Sequence, residues 1–209
     1  MPAALQFKLT LRDVKPAIWR RIRVSSDLTF SQLHYVIQIL FGWDDCHLWQ
    51  FDVAAQTYAD HRDEFADSFG GPKQLSAKKM SLGELPATLD RFGYWYDFGD
   101  DWRVIVAIES RDADLPNGVV VECVTGARSG PPDDVGGPFG YPEFLQAISN
   151  PDHEEHEGML EWIGGAWDAE AFSPQEINRE FGRWAARAIR RKVTGSMPRK
   201  RANKKASRD

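Results

Sequence analysis

"AIWRRIRVSSDLTFSQLHYVIQILFGW" (residues 17–43) changes its period half-way along, and that change decides the fold class. Ile18, Ile22 and Val24 share one parity with arginines interleaved, which is the period-two pattern of a half-buried strand. Leu33, Val36, Ile37, Leu40 and Phe41 then recur at helical spacing and make one apolar stripe. The junction is marked on both sides. Thr29 suits an N-cap, Gln32 three residues later completes a capping box, and Leu28 and Leu33 can close a hydrophobic staple. Gly42 stands where a left-handed cap ends a helix.

Working outward, "LQFKLTL" (5–11) alternates cleanly, and Pro16 falls in the turn that follows. "HLWQFDV" (47–53) predicts a third strand, so the chain opens strand–strand–helix–strand, a β-grasp-like order of elements. Residues 55–79 are polar and read as a surface excursion, and Ser81 caps a short turn through Leu85. "DRFGYWYDF" (90–98) and "WRVIVAIES" (102–110) predict strands around Gly99-Asp100-Asp101, and "PNGVVVECV" (116–124) a further one. Residues 125–140 are rich in Gly and Pro and read as loop.

The last third is helical. Pro142 starts a helix carrying Phe144, Leu145 and Ile148, and Asp152 caps another through Ile163. Ser173, Pro174 and Glu176 open a third, with Ile177, Phe181, Trp184, Ala188 and Ile189 on its inner stripe. Strands first and helices last predict an α+β fold with a mixed or antiparallel sheet and a helical C-terminal third. One domain spans 1–192, and 193–209, without apolar pattern, is expected to be a disordered basic tail.

Composition narrows the function classes. Apolar residues make up 42% of the chain, enough for a core, and no run approaches the roughly 18 apolar residues of a membrane span. The start lacks a basic segment followed by an apolar run, so no signal peptide is expected. Two cysteines, Cys46 and Cys123, give no disulfide framework, and a reducing cytoplasm is the expected compartment. The net charge of −5 divides into an acidic body and a basic end: residues 190–209 hold nine Lys/Arg and one acid.

Several stretches together carry a resemblance: "VKPAIWRRI" (14–22), "LTFSQLHYVIQILFGWDDCHLWQF" (28–51), "YWYDFGDDW" (94–102), "PPDDVGGPFGYPEFLQAISNPDHEEHEGMLEW" (131–162) and "GGAWDAEAFSPQEIN" (164–178). In this order, over about residues 4–182, the sequence resembles the plasmid ORF-3-like family named from a root-inducing plasmid, whose members are often labelled insertion-element passenger proteins of TnpR type. The resemblance implies an α+β domain, without an established activity, associated with mobile elements. A true resolvase is not supported, because the chain lacks a helix-turn-helix after a doubly wound domain. The family's loop after the last strand carries cysteines, of which this chain keeps only Cys123, with Gly130 and Val135 at the other two positions. A tetrahedral thiolate site of that kind cannot form here.

Four motifs could carry chemistry. In "YWYDFGDDW", Asp97, Asp100 and Asp101 could hold a cation, but the aromatics and the Gly-Asp turn are explained by a hairpin over the core, with Asp97 on the face opposite Tyr96 and Phe98. "WDDCHLW" (43–49) follows the Gly42 stop and reads as a solvated turn with a surface or satisfied His47. "GPPDDVGG" (130–137) reads as an ordered loop that could bind. In "DHEEHEGMLEW" (152–162), His153 and His156 would be helical neighbours, though the acid-rich helix start explains them without a ligand. Walker, dinucleotide and nucleophile-elbow motifs are absent.

The resulting pocket or partner surface comprises Asp97, Asp100, Asp101, Trp102, Pro132, Asp133, Asp134, Gly136, Gly137, His153 and His156. The leading expectation is a cytoplasmic binding or accessory domain for an unidentified protein or small molecule, with no cofactor, no metal and no membrane partner. The alternatives are a metal-dependent enzyme using an Asp/His cluster, and weak non-specific nucleic-acid binding through Arg199, Lys200, Arg201, Lys204 and Lys205. The acidic motifs make one site only where the 131–137 loop or the histidines fold over Asp97.

Overall fold

The two periods of residues 17–43 become a strand and a helix. The computed structural model describes residues 3–60 and 74–194, with side chains as far as residue 187. The strands are β1 (Ala4–Leu11), β2 (Trp19–Ser25), β3 (Trp49–Val53), β4 (Gln56–Ala59), β5 (Leu75–Ser76), β6 (Arg91–Tyr96), β7 (Trp102–Ala113) and β8 (Val121–Ala127). The helices are α1 (Phe30–Phe41), α2 (Gly137–Ser149), α3 (His156–Ile163) and α4 (Pro174–Thr194). The fold is α+β. One sheet runs β5-β4-β3-β6-β7-β1-β2-β8, antiparallel except for the parallel β4–β5 pair. The strand–strand–helix–strand start is present, with β6 and β7 lying between β3 and β1.

The α1 caps form as their residues require. Thr29 and Gln32 make the reciprocal capping box, and Gly42 takes φ 77° and returns its N–H to Gln38 O. The core lies between this helix, one face of the sheet and the C-terminal helices. Phe7, Phe30, Leu33, Phe51, Tyr94, Trp102, Tyr141 and Phe181 all belong to one buried cluster.

Arg20 sits in that core at 2% exposure, on the parity of Ile18 and Ile22. Its guanidinium donates to Leu40 O, Trp19 O and Ala127 O and lies over the rings of Phe41 and Phe172. A planar cation with several donors can tie α1 to the β2–β8 edge, which an aliphatic residue cannot. Burial lowers its pKa to about 10, so it remains charged at neutral pH.

Several boundaries differ from the sequence reading. The polar stretch 55–79 contains β4 and β5, because Tyr58 pairs with Phe51 and stacks on Phe30 at 5.3 Å. Residues 61–73 within it lie outside the described residues. β8 runs to Ala127, into the expected loop, drawn on by pairing with β2. α2 begins at Gly137, one turn before Pro142, after Gly136 has taken a left-handed φ of 88°. Asp152 does not cap α3: its amide closes a turn on Asn150 Oδ1, and the helix starts at His156. The side chains of Ala188 and Ile189, and residues 195–209 with all five candidate tail cations, lie outside the described residues.

Candidate functional site

Three loops meet at one end of the sheet: 42–48 after α1, 97–101 between β6 and β7, and 128–136 between β8 and α2. The middle loop is built on Asp97, which is 7% exposed and has a φ of 52°. Its N–H donates to Leu48 O, its carbonyl accepts from Asp101 N, and Oδ1 accepts from Gly99 N and Asp100 N. The hairpin connection is thus a five-residue turn with Tyr96 opposite Trp102, not a two-residue Gly-Asp turn. Asp97 lies beyond the pleat. One carboxylate oxygen secures the turn and the other faces the 42–48 loop.

The 128–136 loop closes over this turn. A Cβ on Gly130 would lie 2.0 Å from Phe41 O, and one on Gly137 would lie 2.0 Å from Asp100 O. Asp100 Oδ2 accepts from Gly136 N at 3.1 Å, and Asp133 Oδ2 accepts from Asp44 N at 2.8 Å. Trp43 Nε1 donates to Pro131 O. The glycines permit backbone approach that no larger residue allows.

A ring of hydrogen bonds, buried at His34, Gln38 and Tyr94 and open at Asp45, fixes the 42–48 loop from the other side. Asp45 N donates to Gln38 Oε1 at 2.8 Å, and Gln38 Nε2 donates to the Tyr94 hydroxyl at 3.0 Å. Tyr94 and His34 Nδ1 are 2.8 Å apart, and His34 Nε2 and Asp45 Oδ1 are 2.7 Å apart. With His34 neutral and protonated on Nε2, Tyr94 donates to Nδ1 and Nε2 donates to Asp45, so each of the four contacts joins one donor to one acceptor. Burial lowers the His34 pKa against the pull of Asp45, in keeping with the neutral form. His34 also stacks on Trp49, 4.1 Å between centroids.

Between the two anchored loops, ligand-type atoms converge. His47 Nε2 lies 3.2 Å from Asp134 Oδ1 and 3.5 Å from Asp97 Oδ2. These three donors fall within 4.8 Å of one another, as do those of Cys46, His47 and Asp133. His47 Nε2 and Asp133 Oδ1 are sealed from solvent, yet neither has a hydrogen bond of acceptable geometry. Burial raises the pKa of both Asp133 and the Cys46 thiol. Tyr96 stays a phenol, pushed far up by burial, and its hydroxyl accepts from Cys46 N. The Asp134 side chain is 69% exposed, which leaves one side of the cluster open.

Of the candidates, Asp97, Asp133 and Asp134 enter the cluster, and Asp100, Gly136 and Gly137 clamp it. Pro132 belongs to the same loop. Asp101 turns away to Arg103 at 2.6 Å, and Trp102 is 0% exposed, a core residue and not a rim residue. His153 and His156 are held elsewhere. His153 Nδ1 accepts from Glu155 N, and His156 Nδ1 lies 2.9 Å from Ala147 O. They are not helical neighbours, since α3 starts only at His156. Sequence reasoning missed Cys46 and His47 as site residues. The signal was their adjacency, directly after an Asp doublet and a helix stop.

The sequence model of the plasmid pRiA4b ORF-3-like proteins matches residues 3–176. The chain belongs to this family. An uncharacterised protein, y4hQ, of Sinorhizobium fredii is 35% identical over 199 residues, covering 90% of this chain and 98% of its own. The crystal structure of a protein of unknown function, MM3350, from Methanosarcina mazei Go1 superposes with a TM-score of 0.73 at 31% identity. It covers 83% of this chain and 96% of its own. These family relatives are named as uncharacterised or of unknown function. Among the described residues, no helix is long and apolar enough to cross a membrane.

Proposed function

We propose that the protein is a metal-binding domain that presents one divalent ion, of Zn²⁺ type, at the loop end of its sheet. His47, Asp97 and Asp134 would hold the ion, with Cys46 and Asp133 at the adjoining position. The observation that carries this reading is His47 Nε2, shielded from solvent and without a well-formed hydrogen bond, 3.2 and 3.5 Å from two carboxylate oxygens supplied by two other loops. Donors about 2.0–2.2 Å from a common ion stand roughly 3–3.5 Å from each other, so these separations are those of a ligand set. A mixture of imidazole, carboxylate and thiol favours Zn²⁺ over Mg²⁺ or Ca²⁺.

Three protein donors on a tetrahedral ion leave a fourth position, and the exposure of Asp134 puts it towards solvent. There the ion would take an oxygen-donor ligand or a water. An accessory role beside mobile elements, implied by the family resemblance, is compatible with such a domain.

The test is metal content by mass spectrometry after equilibration with Zn²⁺, with thermal unfolding alongside. A single ion per chain and a rise in Tm are expected, both lost in His47→Ala and Asp97→Asn. A folded wild-type chain that takes up no ion, or variants that take it up equally well, would sink the proposal.

A further inference from the structure

The sheet face turned away from α1 carries a second pattern, distant in kind from the metal cluster. Outward side chains lie in rows set by the strand register. One row reads Arg91, Ala107, Lys8, Arg21 across β6, β7, β1 and β2. The next reads Gly93, Ile105, Thr10, Trp19 across the same four strands. Beyond it Trp95 stands opposite Arg103, whose guanidinium lies 3.3 Å from the ring centroid. Lys8 and Arg21 lie 5.1 and 5.4 Å over the Trp19 ring.

Lys8 and Arg21 are directly opposed like charges, which destabilise a strand pair. Glu109 relieves Arg21 through two hydrogen bonds, and Glu122 stands 3.6 Å from Arg23. Glu109 thereby neutralises Arg21 within the row, and also accepts from Gln6, while Glu122 pairs with Arg23 beside it. Among the described residues, the other two cations of the row, Lys8 and Arg91, have no carboxylate within ion-pair distance. Ile105 is 39% exposed in the middle of the small-residue row. The cationic row spans three strand spacings, about 14 Å, and runs about 6.6 Å from the flat apolar row.

We infer that this face binds single-stranded nucleic acid. Two parallel tracks are what such a ligand needs: cations along one line for phosphates, and a flat floor edged by aromatic rings along the other for bases. Arg91 and Lys8, the cations of the row without a carboxylate partner, take the backbone. Gly93, Ile105 and Thr10 form the floor between Trp95 and Trp19. A duplex would present its phosphates but not its base faces, so it would use only half of the surface. On a chain of net charge −5, a cationic row in register is the charge complement of a polyanion.

Anisotropy of labelled single-stranded DNA and RNA of roughly 12 nucleotides, at about 50 and 200 mM salt, tests this with the full-length chain. Binding should quench tryptophan fluorescence, weaken with salt and exceed that of the matching duplex. Lys8→Glu with Arg91→Glu should weaken it about tenfold or more. Arg91 is exposed and Lys8 half-buried on the outer face, so the double variant should keep a urea midpoint near that of the wild type while losing affinity. Trp19→Leu should also lose affinity. The inference fails where single strands do not bind, or bind no better than duplex. It fails equally where affinity survives the charge reversals or disappears when only the residues after Thr194 are removed.

Discussion

Gly137 rests against the backbone of Asp100 so closely that a Cβ would lie 2.0 Å from the Asp100 carbonyl oxygen. That contact joins the loop bearing Asp133 and Asp134 to the turn bearing Asp97. Gly137 also has a φ of 69°, so its replacement meets both a clash and backbone strain. Gly137→Ala should cost about 2–4 kcal/mol, the strain of a left-handed residue plus displacement of the loop. Gly42→Ala is the control. Its φ is 77° with nothing within 4 Å of the added carbon, so it should cost only about 1 kcal/mol. Urea unfolding of the two variants measures the difference, and equal losses would mean that the contact is not tight in solution.

The circuit through Asp45, Gln38, Tyr94 and His34 should behave as one unit. Tyr94→Phe leaves His34 Nδ1 and Gln38 Nε2 without their partner in the core, at a cost of about 1–3 kcal/mol. Gln38→Leu removes a donor to Tyr94 and the acceptor for Asp45 N. The double variant should lose less than the two singles together, with a coupling of about 0.5–2 kcal/mol in a double-mutant cycle. Additive losses would show that the hydrogen bonds act separately.

The long strands and α1 were legible in the sequence because each follows a period or a cap, whereas β4 and β5 in a polar stretch and the starts of α2 and α3 were not. Thr29, Gln32 and Gly42 perform their expected roles. The site was only half legible, because its aspartates serve the backbone first. Of the seven non-glycine residues with positive φ among the described residues, five are aspartates, and Asp45, Asp97, Asp101 and Asp134 lie in the site loops. Aspartate tolerates that conformation, so a cluster of Asp in a sequence marks turns as readily as ligands. What distinguishes Asp97 and Asp134 from Asp101 is His47, and their contact spans residues far apart in the chain. No period or spacing reports such a contact. Arg20 was hidden for a related reason: its parity placed it inward, while its charge argued for solvent until three carbonyls supplied its partners.

Acid should weaken the fold through His34 before it reaches the paired carboxylate of Glu109. Burial holds the His34 pKa below its ordinary 6.5, so the unfolded chain binds a proton that the folded chain refuses. The sign follows. Stability from neutral His34 is complete above about pH 6.5 and falls as pH drops from there towards the folded-state pKa, at up to about 1.4 kcal/mol per pH unit. Glu109, held below the ordinary carboxylate range by Arg21, contributes its loss only below about pH 4.5. Urea midpoints between pH 7.5 and 5.5 should therefore decline in the wild type and flatten in His34→Gln. An unchanged slope in the variant would assign the acid sensitivity to another group.

Cys46 offers a direct chemical report on the cluster. It is exposed, whereas Cys123 is buried with its thiol pushed up to about 11, chiefly by desolvation. A maleimide or disulfide reagent should therefore modify Cys46 in the folded chain and reach Cys123 only after denaturation. Burial also raises the Cys46 thiol, so its labelling should be slower than that of a free cysteine and should accelerate with pH. Where Cys46 takes the fourth position of an ion held by His47, Asp97 and Asp134, in place of the solvent-side ligand, stoichiometric Zn²⁺ should slow this labelling by roughly tenfold or more, because a coordinated thiolate is withdrawn from attack. Asp133→Asn should reduce that protection and His47→Ala should abolish it, both without exposing Cys123. Labelling of Cys46 at the same rate with and without Zn²⁺ would place its sulfur outside the coordination sphere and leave His47, Asp97 and Asp134 as the sole donors.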